Sequence, residues 1–330
     1  MSFFAILFAL LIEQVRPLGH HNPVHGLLRG WARWASSNFD AGKRHHGWIA
    51  WTLAVMLPTL GAVAVHWLLV VLVGWPFAVL WNVAVLYFTL GFRHFSHHFT
   101  GIRDALDAGD EVQARTLLAR WRQVDASALP RSELLRHVIE YSVLAAHRHV
   151  FGVLACFSVL AAFGAGPAGA VLYRTSGFVA RYWGPGGGLL SPRASPALQA
   201  AAERAWQAID WFPARTTALA FAVVGSFEEA IDCWRNHVQR VPGDNDGVIL
   251  AATSGALNVR LGGEALRSTF SPQPEFRTGT SGIEVIGGTD TTPGREAEIG
   301  HLRSTVGLVW RTVVLWMVLL ALLTMARLLG

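Results

Sequence analysis

Four long runs with almost no charge constrain this chain more than any other feature. Residues 48–73, 76–92 and 150–173 contain no Asp, Glu, Lys or Arg, and 305–326 contains only Arg311. A helix needs about 20 mainly apolar residues to cross the hydrocarbon core of a bilayer, and three of the runs reach that length. Composition agrees: 52% of residues are hydrophobic and 15% are charged, where a soluble domain carries about 25% charged residues. Inside lipid every backbone N–H and C=O must be satisfied within the protein, which leaves helices or a closed barrel. Uninterrupted apolar runs, rather than alternating ones, select helices. The expected fold class is all-α: a polytopic helical membrane protein with a cytoplasmic helical region.

The punctuation of the runs divides the chain. An N-terminal amphipathic segment, 1–47, precedes a transmembrane hairpin, 48–92, whose turn is Gly74-Trp75-Pro76. Residues 93–149 form a polar helical region in which Leu106, Val112, Leu117, Leu118 and Trp121 recur at helical intervals. Residues 150–265 read as membrane-associated helices, with Gly164, Gly166, Pro167 and Gly169 inviting a break in the first of them. A Gly- and Thr-rich loop, 266–304, leads to a C-terminal transmembrane helix, 305–330.

Charge sets the expected orientation. The formal net charge is +5, from 27 basic and 22 acidic side chains. Arg16, Arg29, Arg33, Lys43 and Arg44 precede the hairpin, eight arginines follow it, and its turn carries none. Positive loops stay inside, so 1–47 and 93–149 are expected to be cytoplasmic, in a multi-pass protein of a bacterial inner membrane. The basic excess therefore points to membrane lipid as a partner, not to nucleic acid. Residues 1–4 carry no basic side chain, so no Sec leader is expected. Lys43 is the only lysine and is followed by Arg44-His45, which rules out a Walker A phosphate loop. Cys156 and Cys233 lack metal-ligand spacing and are expected to be buried thiols. His20, His21 and His25, His94, His97 and His98, and His147 and His149 form clusters without an accompanying carboxylate motif, and no metal site is assigned to them.

The order of the polar motifs is more specific. Leu10-Leu11-Ile12-Glu13, Leu18-Gly19, His20-His21 and Asp210-Trp211-Phe212-Pro213-Ala214-Arg215 resemble the AmpE inner-membrane proteins. Asn22-Pro23-Val24-His25-Gly26, Asn245-Asp246-Gly247 and the stretch from Ser254 through Arg260-Leu261-Gly262-Gly263 resemble the CobD/CbiB cobalamin-biosynthesis proteins of the same superfamily. Gly166-Pro167-Ala168-Gly169 and Leu172-Tyr173-Arg174 are similar to both branches. The resemblance spans roughly residues 5–265.

This resemblance implies two functions. CobD/CbiB proteins condense a corrinoid carboxylate with an aminopropanol to form an amide, giving adenosylcobinamide phosphate, with ATP and Mg²⁺ expected as cofactors. AmpE proteins are connected with signalling of cell-wall state, need neither cofactor, and imply a regulatory protein partner. Matched residues that survive are Glu140 and Asp210 as catalytic acids, and Arg215, Arg235, Asn245, Gly247, Arg260, Gly262 and Gly263 as binding residues. Arg215, Arg235 and Arg260 would form a phosphate clamp, since guanidinium groups bind oxyanions through paired donors. Acidic or amide positions of the CobD/CbiB pattern hold Leu144, Ala145, Arg148, Gly177 and Ala180 instead, and His149 stands at the glycine of its Asp-Gly pair. Loss of oxygen ligands weakens a divalent-metal site. The sequence therefore points first to an AmpE-like regulatory or ligand-binding protein with a degenerate synthetase site. The alternative is an adenosylcobinamide-phosphate synthase-type enzyme, or a relative acting on another carboxylate.

Overall fold

The computed structural model describes residues 2–15, 23–122, 130–184, 194–241, 243–262 and 292–329. Among these residues the chain is helical throughout, and the one β-bridge joins Val259 to Arg295. The helices run in the order α1 (Ser2–Val15), α2 (Pro23–Phe39), α3 (Arg44–Leu72), α4 (Trp75–Thr89), α5 (Phe92–Asp107), α6 (Glu111–Arg122) and α7 (Arg131–Ala146). A π-turn (His147–Phe151) joins α7 to α8 (Gly152–Ala162). Then follow α9 (Ala168–Trp183), α10 (Pro196–Val224), α11 (Phe227–Arg240), α12 (Asn245–Leu257) and α13 (Ile299–Leu329).

Three stretches are long and apolar enough to cross a membrane: Arg44–Leu72, Arg131–Ala162 and Ile299–Ala326. Leu57, Leu60, Leu68 and Val71 on α3, and Val314, Val318, Leu322 and Leu323 on α13, are exposed. Apolar area of that extent on long helices is a lipid-facing surface. The second stretch differs from the sequence expectation, in which 131–146 belonged to the polar region. Here α7, the π-turn and α8 form one rod, and three charged or ionisable residues of α7 are buried: Arg136, His137 and Glu140 are 9%, 5% and 1% exposed. Their charge is taken up by protein rather than water.

Local defects in the helices tie the structure together. Pro58 lies inside α3 and has no N–H to offer the carbonyl of Ala54, four residues earlier. The indole Nε1 of Trp31, on α2, donates to that carbonyl at 3.1 Å. Asp40, just beyond α2, accepts the backbone N–H of Ser195 at 2.8 Å and its hydroxyl at 2.6 Å. Ser195 in turn caps α10 by accepting Leu198 N–H at 3.2 Å.

Helices α8 and α9 cross closely, and two glycines permit it. A Cβ on Gly169 would lie 1.9 Å from the carbonyl oxygen of Cys156. A Cβ on Gly152 would lie 2.2 Å from the phenol end of Tyr173. Small residues at such contacts let membrane helices approach backbone to backbone. Both cysteines are free thiols.

Asn22, His20, His21, Gly263 and most of the 266–304 loop lie outside the described residues, as do the side chains of His25, His94, His97 and His98.

Gly169→Ala forces α8 and α9 apart, because the obstructing atoms are backbone. It is expected to destabilise the protein by about 1–3 kcal/mol. Thermal unfolding of the detergent-solubilised chain measures this, and an unchanged midpoint would refute the close crossing.

Candidate functional site

The site begins with an interruption of helical geometry. At His147–Phe151 the backbone widens into a π-turn, a feature that redirects side chains and recurs at functional positions. It aims His147 and the neighbouring Arg148 at two different helices. His147 is fully buried and faces α10, where its Nε2 lies 2.9 Å from Asp210 Oδ1. Its Nδ1 lies 2.9 Å from the Thr217 hydroxyl. Tyr173, on α9 and held against Gly152, donates its hydroxyl to the same Asp210 oxygen at 2.8 Å. The contact with the Asp210 carboxylate needs a proton on Nε2, while Nδ1 and the Thr217 hydroxyl share a hydrogen bond.

This centre is dry. Asp210 and Tyr173 are each 1% exposed. A carboxylate buried in an apolar surround is tolerated only with strong donors, and His147 and Tyr173 supply them. Burial and the charge of Asp210 push the Tyr173 phenol well up, so it remains a proton donor at any physiological pH.

Arg148 binds Asp246, at the start of α12. Burial pushes the Asp246 carboxyl up against the pull of the Arg148 guanidinium, and the charge of Asp210 adds to the rise. Asp244, two residues earlier, caps α12 by accepting Gly247 N–H at 3.0 Å and meets His237 Nε2 at 3.1 Å. Gly247 has no room for a side chain: a Cβ would fall 2.0 Å from His237 Nε2. Asn245 Oδ1 accepts from Arg215 at 3.0 Å, while its Nδ2 donates to the Gln207 carbonyl at 2.9 Å. Arg215 also lies over the Trp211 ring, 4.1 Å from its centroid.

Glu140 occupies a second polar cluster, on α7. Its Oε1 accepts Gly262 N–H at 2.7 Å, and Arg136 donates to the Gly262 carbonyl. Both backbone groups of one residue are thus held by side chains one helical turn apart. Gly262 has φ +86°, a left-handed conformation that suits glycine. The other Glu140 oxygen is buried without a hydrogen-bond partner among the described residues and lies 3.5 Å from His137 Nδ1.

The residues singled out in the sequence therefore fall into separate groups. Asp210 enters the His147 centre. Arg215, Asn245 and Gly247 join α10 to α12. Glu140 and Gly262 form the latch on α7. Arg235 is exposed on α11, and Arg260 is exposed beside Arg295, to whose carbonyl its own N–H donates at 2.7 Å. No contact among the described residues unites Arg215, Arg235 and Arg260. The sequence reading did not assign His147, Tyr173, Thr217 or the Arg148–Asp246 pair to a site. The motif positions of Tyr173 and Asp246 were a signal for two of them, but the π-turn left none.

Among the described residues no group of three or more His, Cys, Asp or Glu side chains is placed to hold a metal ion. Mg²⁺ takes octahedral oxygen ligands, several supplied by water and one or two by carboxylates. Asp210 has one oxygen engaged by His147 and Tyr173, and Asp246 is paired with Arg148. These acids do not fit a resident Mg²⁺.

Fold and site together define a helical membrane protein whose motif-bearing segments converge on a buried, hydrogen-bonded ionisable centre. The chain belongs to the CobD/CbiB family: the family described as "CobD/Cbib protein" matches residues 2–285. It is 30% identical over 328 residues to the cobalamin biosynthesis protein CobD of Stutzerimonas stutzeri strain A1501, covering 96% of each chain. It is 32% identical over 183 residues to the cobalamin biosynthesis protein CobD of Chromobacterium violaceum, covering 56% of this chain and 55% of that one. No solved structure matches. Both relatives carry cobalamin-biosynthesis names, so the AmpE-like regulatory reading gains no support from them and the synthase alternative does.

Removing the carboxylate leaves His147 and Tyr173 around a void. Asp210→Ala is expected to lower stability by about 3 kcal/mol, and Tyr173→Phe, which deletes one donor, by about 1 kcal/mol. Thermal unfolding in detergent distinguishes the two; a negligible loss in both variants would show that the centre does not hold the helices together.

Proposed function

We propose that this protein is an amide-forming synthase of cobalamin biosynthesis, of the adenosylcobinamide-phosphate synthase type, working in the bacterial inner membrane with 1–47 and the part of 93–149 that precedes the Arg131–Ala162 stretch on the cytoplasmic side. Its substrates are a corrinoid carboxylate and an aminopropanol. The observation that carries the proposal is coverage: family similarity extends over residues 2–285, and one relative named for cobalamin biosynthesis aligns along 96% of the chain.

The geometry supports this reading in a particular way. Joining a carboxylate to an amine places negative charge on acyl oxygens, and fixed cations in a dry setting stabilise such charge. The buried His147–Asp210–Tyr173 centre does not reach solvent, so its role is to hold the π-turn and so aim Arg148. Arg215, fixed by Asn245 and stacked on Trp211, is a second positioned cation. ATP would supply the activation of the carboxylate; no step is assigned to Mg²⁺, whose ligands the described acids do not provide. The replacements at Leu144, Ala145, Gly177 and Ala180 are the feature that favours a non-catalytic, AmpE-like protein, and the experiment decides between the two.

The test is growth of a bacterium lacking its own CobD/CbiB synthase, under conditions that demand de novo corrinoid synthesis. The wild-type chain is expected to restore growth. Asp210→Asn, which keeps the shape and removes the charge, is expected to reduce product formation at least about tenfold through misplacement of Arg148. Arg240→Gln, an exposed change at the end of α11, is expected to behave as wild type. Membrane-inserted wild-type protein that fails to restore growth would overturn the synthase reading.

A further inference from the structure

Arg311 lies inside the Ile299–Ala326 stretch, which is long and apolar enough to cross a membrane, and α13 carries no acid to balance it. A charge in such a stretch is costly and marks a place where something uses it. Its guanidinium is held in place. Nε donates to the Gly307 carbonyl at 3.1 Å, and Nη1 donates at 3.2 Å to the carbonyl of Val224, the last residue of α10. Three of the five N–H groups of the fork have no partner among the described residues, and the side chain is exposed. Among the described residues Arg311 makes no ion pair, even with Glu228 and Glu229 at the start of α11.

The exposed face of α13 changes character at this residue. Before it, the exposed positions are Gly300, Arg303 and Ser304. Beside and beyond it they are Trp310, Val314, Val318, Leu322, Met325 and Leu329. From Arg311 to Leu329 the helix rises about 27 Å at 1.5 Å per residue, close to the roughly 30 Å of a bilayer's hydrocarbon core. Arg311 therefore stands where hydrocarbon meets headgroups, next to a tryptophan, a residue that concentrates at that level. The end of α10 adds a second apolar surface there: Leu219 and Val223 are exposed, as is Phe227 at the start of α11. Arg303, nearer the start of α13, lies 3.6 Å from Asp107 of α5, so the leaflet concerned is the one on the side of α5.

We propose that Arg311 binds the headgroup phosphate of an anionic phospholipid in that leaflet, with the acyl chains against Leu219 and Val223 of α10 and Val314 and Val318 of α13. Charge complementarity selects this occupant. A cation oriented by two carbonyls, with N–H groups left over and no acid on its own helix, is placed at the level of the lipid phosphates. Guanidinium forks match phosphate oxygens through paired, charge-assisted hydrogen bonds. A lipid held in this way joins the end of α10 to α13 from outside the protein. The site stands whether or not the protein is a synthase.

The experiment uses the full chain in dodecyl maltoside with equimolar phosphatidylglycerol and phosphatidylcholine. Native mass spectrometry reads the retained lipid, and the thermal midpoint is measured with and without phosphatidylglycerol. The wild-type chain is expected to retain phosphatidylglycerol in preference and to gain midpoint from it. Arg311→Gln is expected to cut that preference about fivefold, the effect of one positive charge at an anionic lipid surface. Arg311→Lys is expected to fall between, because it keeps the charge and loses the fork. Arg303→Gln, about 12 Å further from the hydrocarbon along the same helix, is expected to bind as wild type. A purely structural role for Arg311 would lower the midpoint of Arg311→Gln while leaving the lipid preference and the lipid-induced gain unchanged, and that result overturns the proposal. Equal retention of both lipids by the wild-type chain overturns it too, as does a loss in Arg303→Gln as large as that in Arg311→Gln. A dimer that retains no phosphatidylglycerol would make a second copy the occupant of this face and likewise overturns it. Where Arg311→Gln does not fold, Arg311→Lys carries the test, and a preference equal to wild type counts against the site.

Discussion

Asp210 is the residue on which the polar half of this molecule depends. A charged carboxylate at 1% exposure in a largely apolar bundle is stable only if donors reach it from several directions. One donor comes from the π-turn after α7 and another from α9, and both bind the same oxygen. The carboxylate thereby fixes three helices relative to one another. Tyr173 reaches it because Gly152 leaves space for its ring, and α9 lies close enough because Gly169 presses against the Cys156 carbonyl. Packing and polarity are one arrangement: the small residues set the helix separation, and the separation sets the hydrogen bonds.

The same logic operates at the Glu140 cluster with a different outcome. Glu140 and Arg136 hold the N–H and carbonyl of Gly262, so the segment after α12 is tied to the rod formed by α7, the π-turn and α8. An acid that sequence reasoning placed among the reacting groups here binds backbone. Its second oxygen, 3.5 Å from His137 Nδ1, and Arg136 Nε are buried polar atoms of this cluster that make no hydrogen bond among the described residues.

The replacement of family polar positions by Leu144, Ala145, Arg148, Gly177 and Ala180 takes on meaning only in three dimensions. Leu144, Ala145 and Ala180 are buried in the apolar core. Gly177 makes room for Trp206, whose ring a Cβ would meet at 2.8 Å. Arg148 is paired with Asp246 across nearly a hundred residues.

Much of the fold was legible in the chain itself. Uncharged runs longer than a bilayer core leave helices as the available structure, and the spacing of apolar residues is a local property readable from any window. The polar motifs also identified Asp210, Asn245, Gly247 and Gly262 as residues of interest. What the sequence could not disclose was which of them meet. His147 finds Asp210 sixty-three residues away through a π-turn that leaves no mark in hydrophobic periodicity, and the rod from Arg131 to Ala162 looked like a polar segment followed by an apolar one because its charges are taken up both by one another along α7 and by Gly262 and Asp246, distant in sequence. Helix formation depends on neighbours one turn apart, whereas the pairing of buried charges depends on how closely helices approach, and that distance was decided by glycines and ring positions that only the assembled structure brings together.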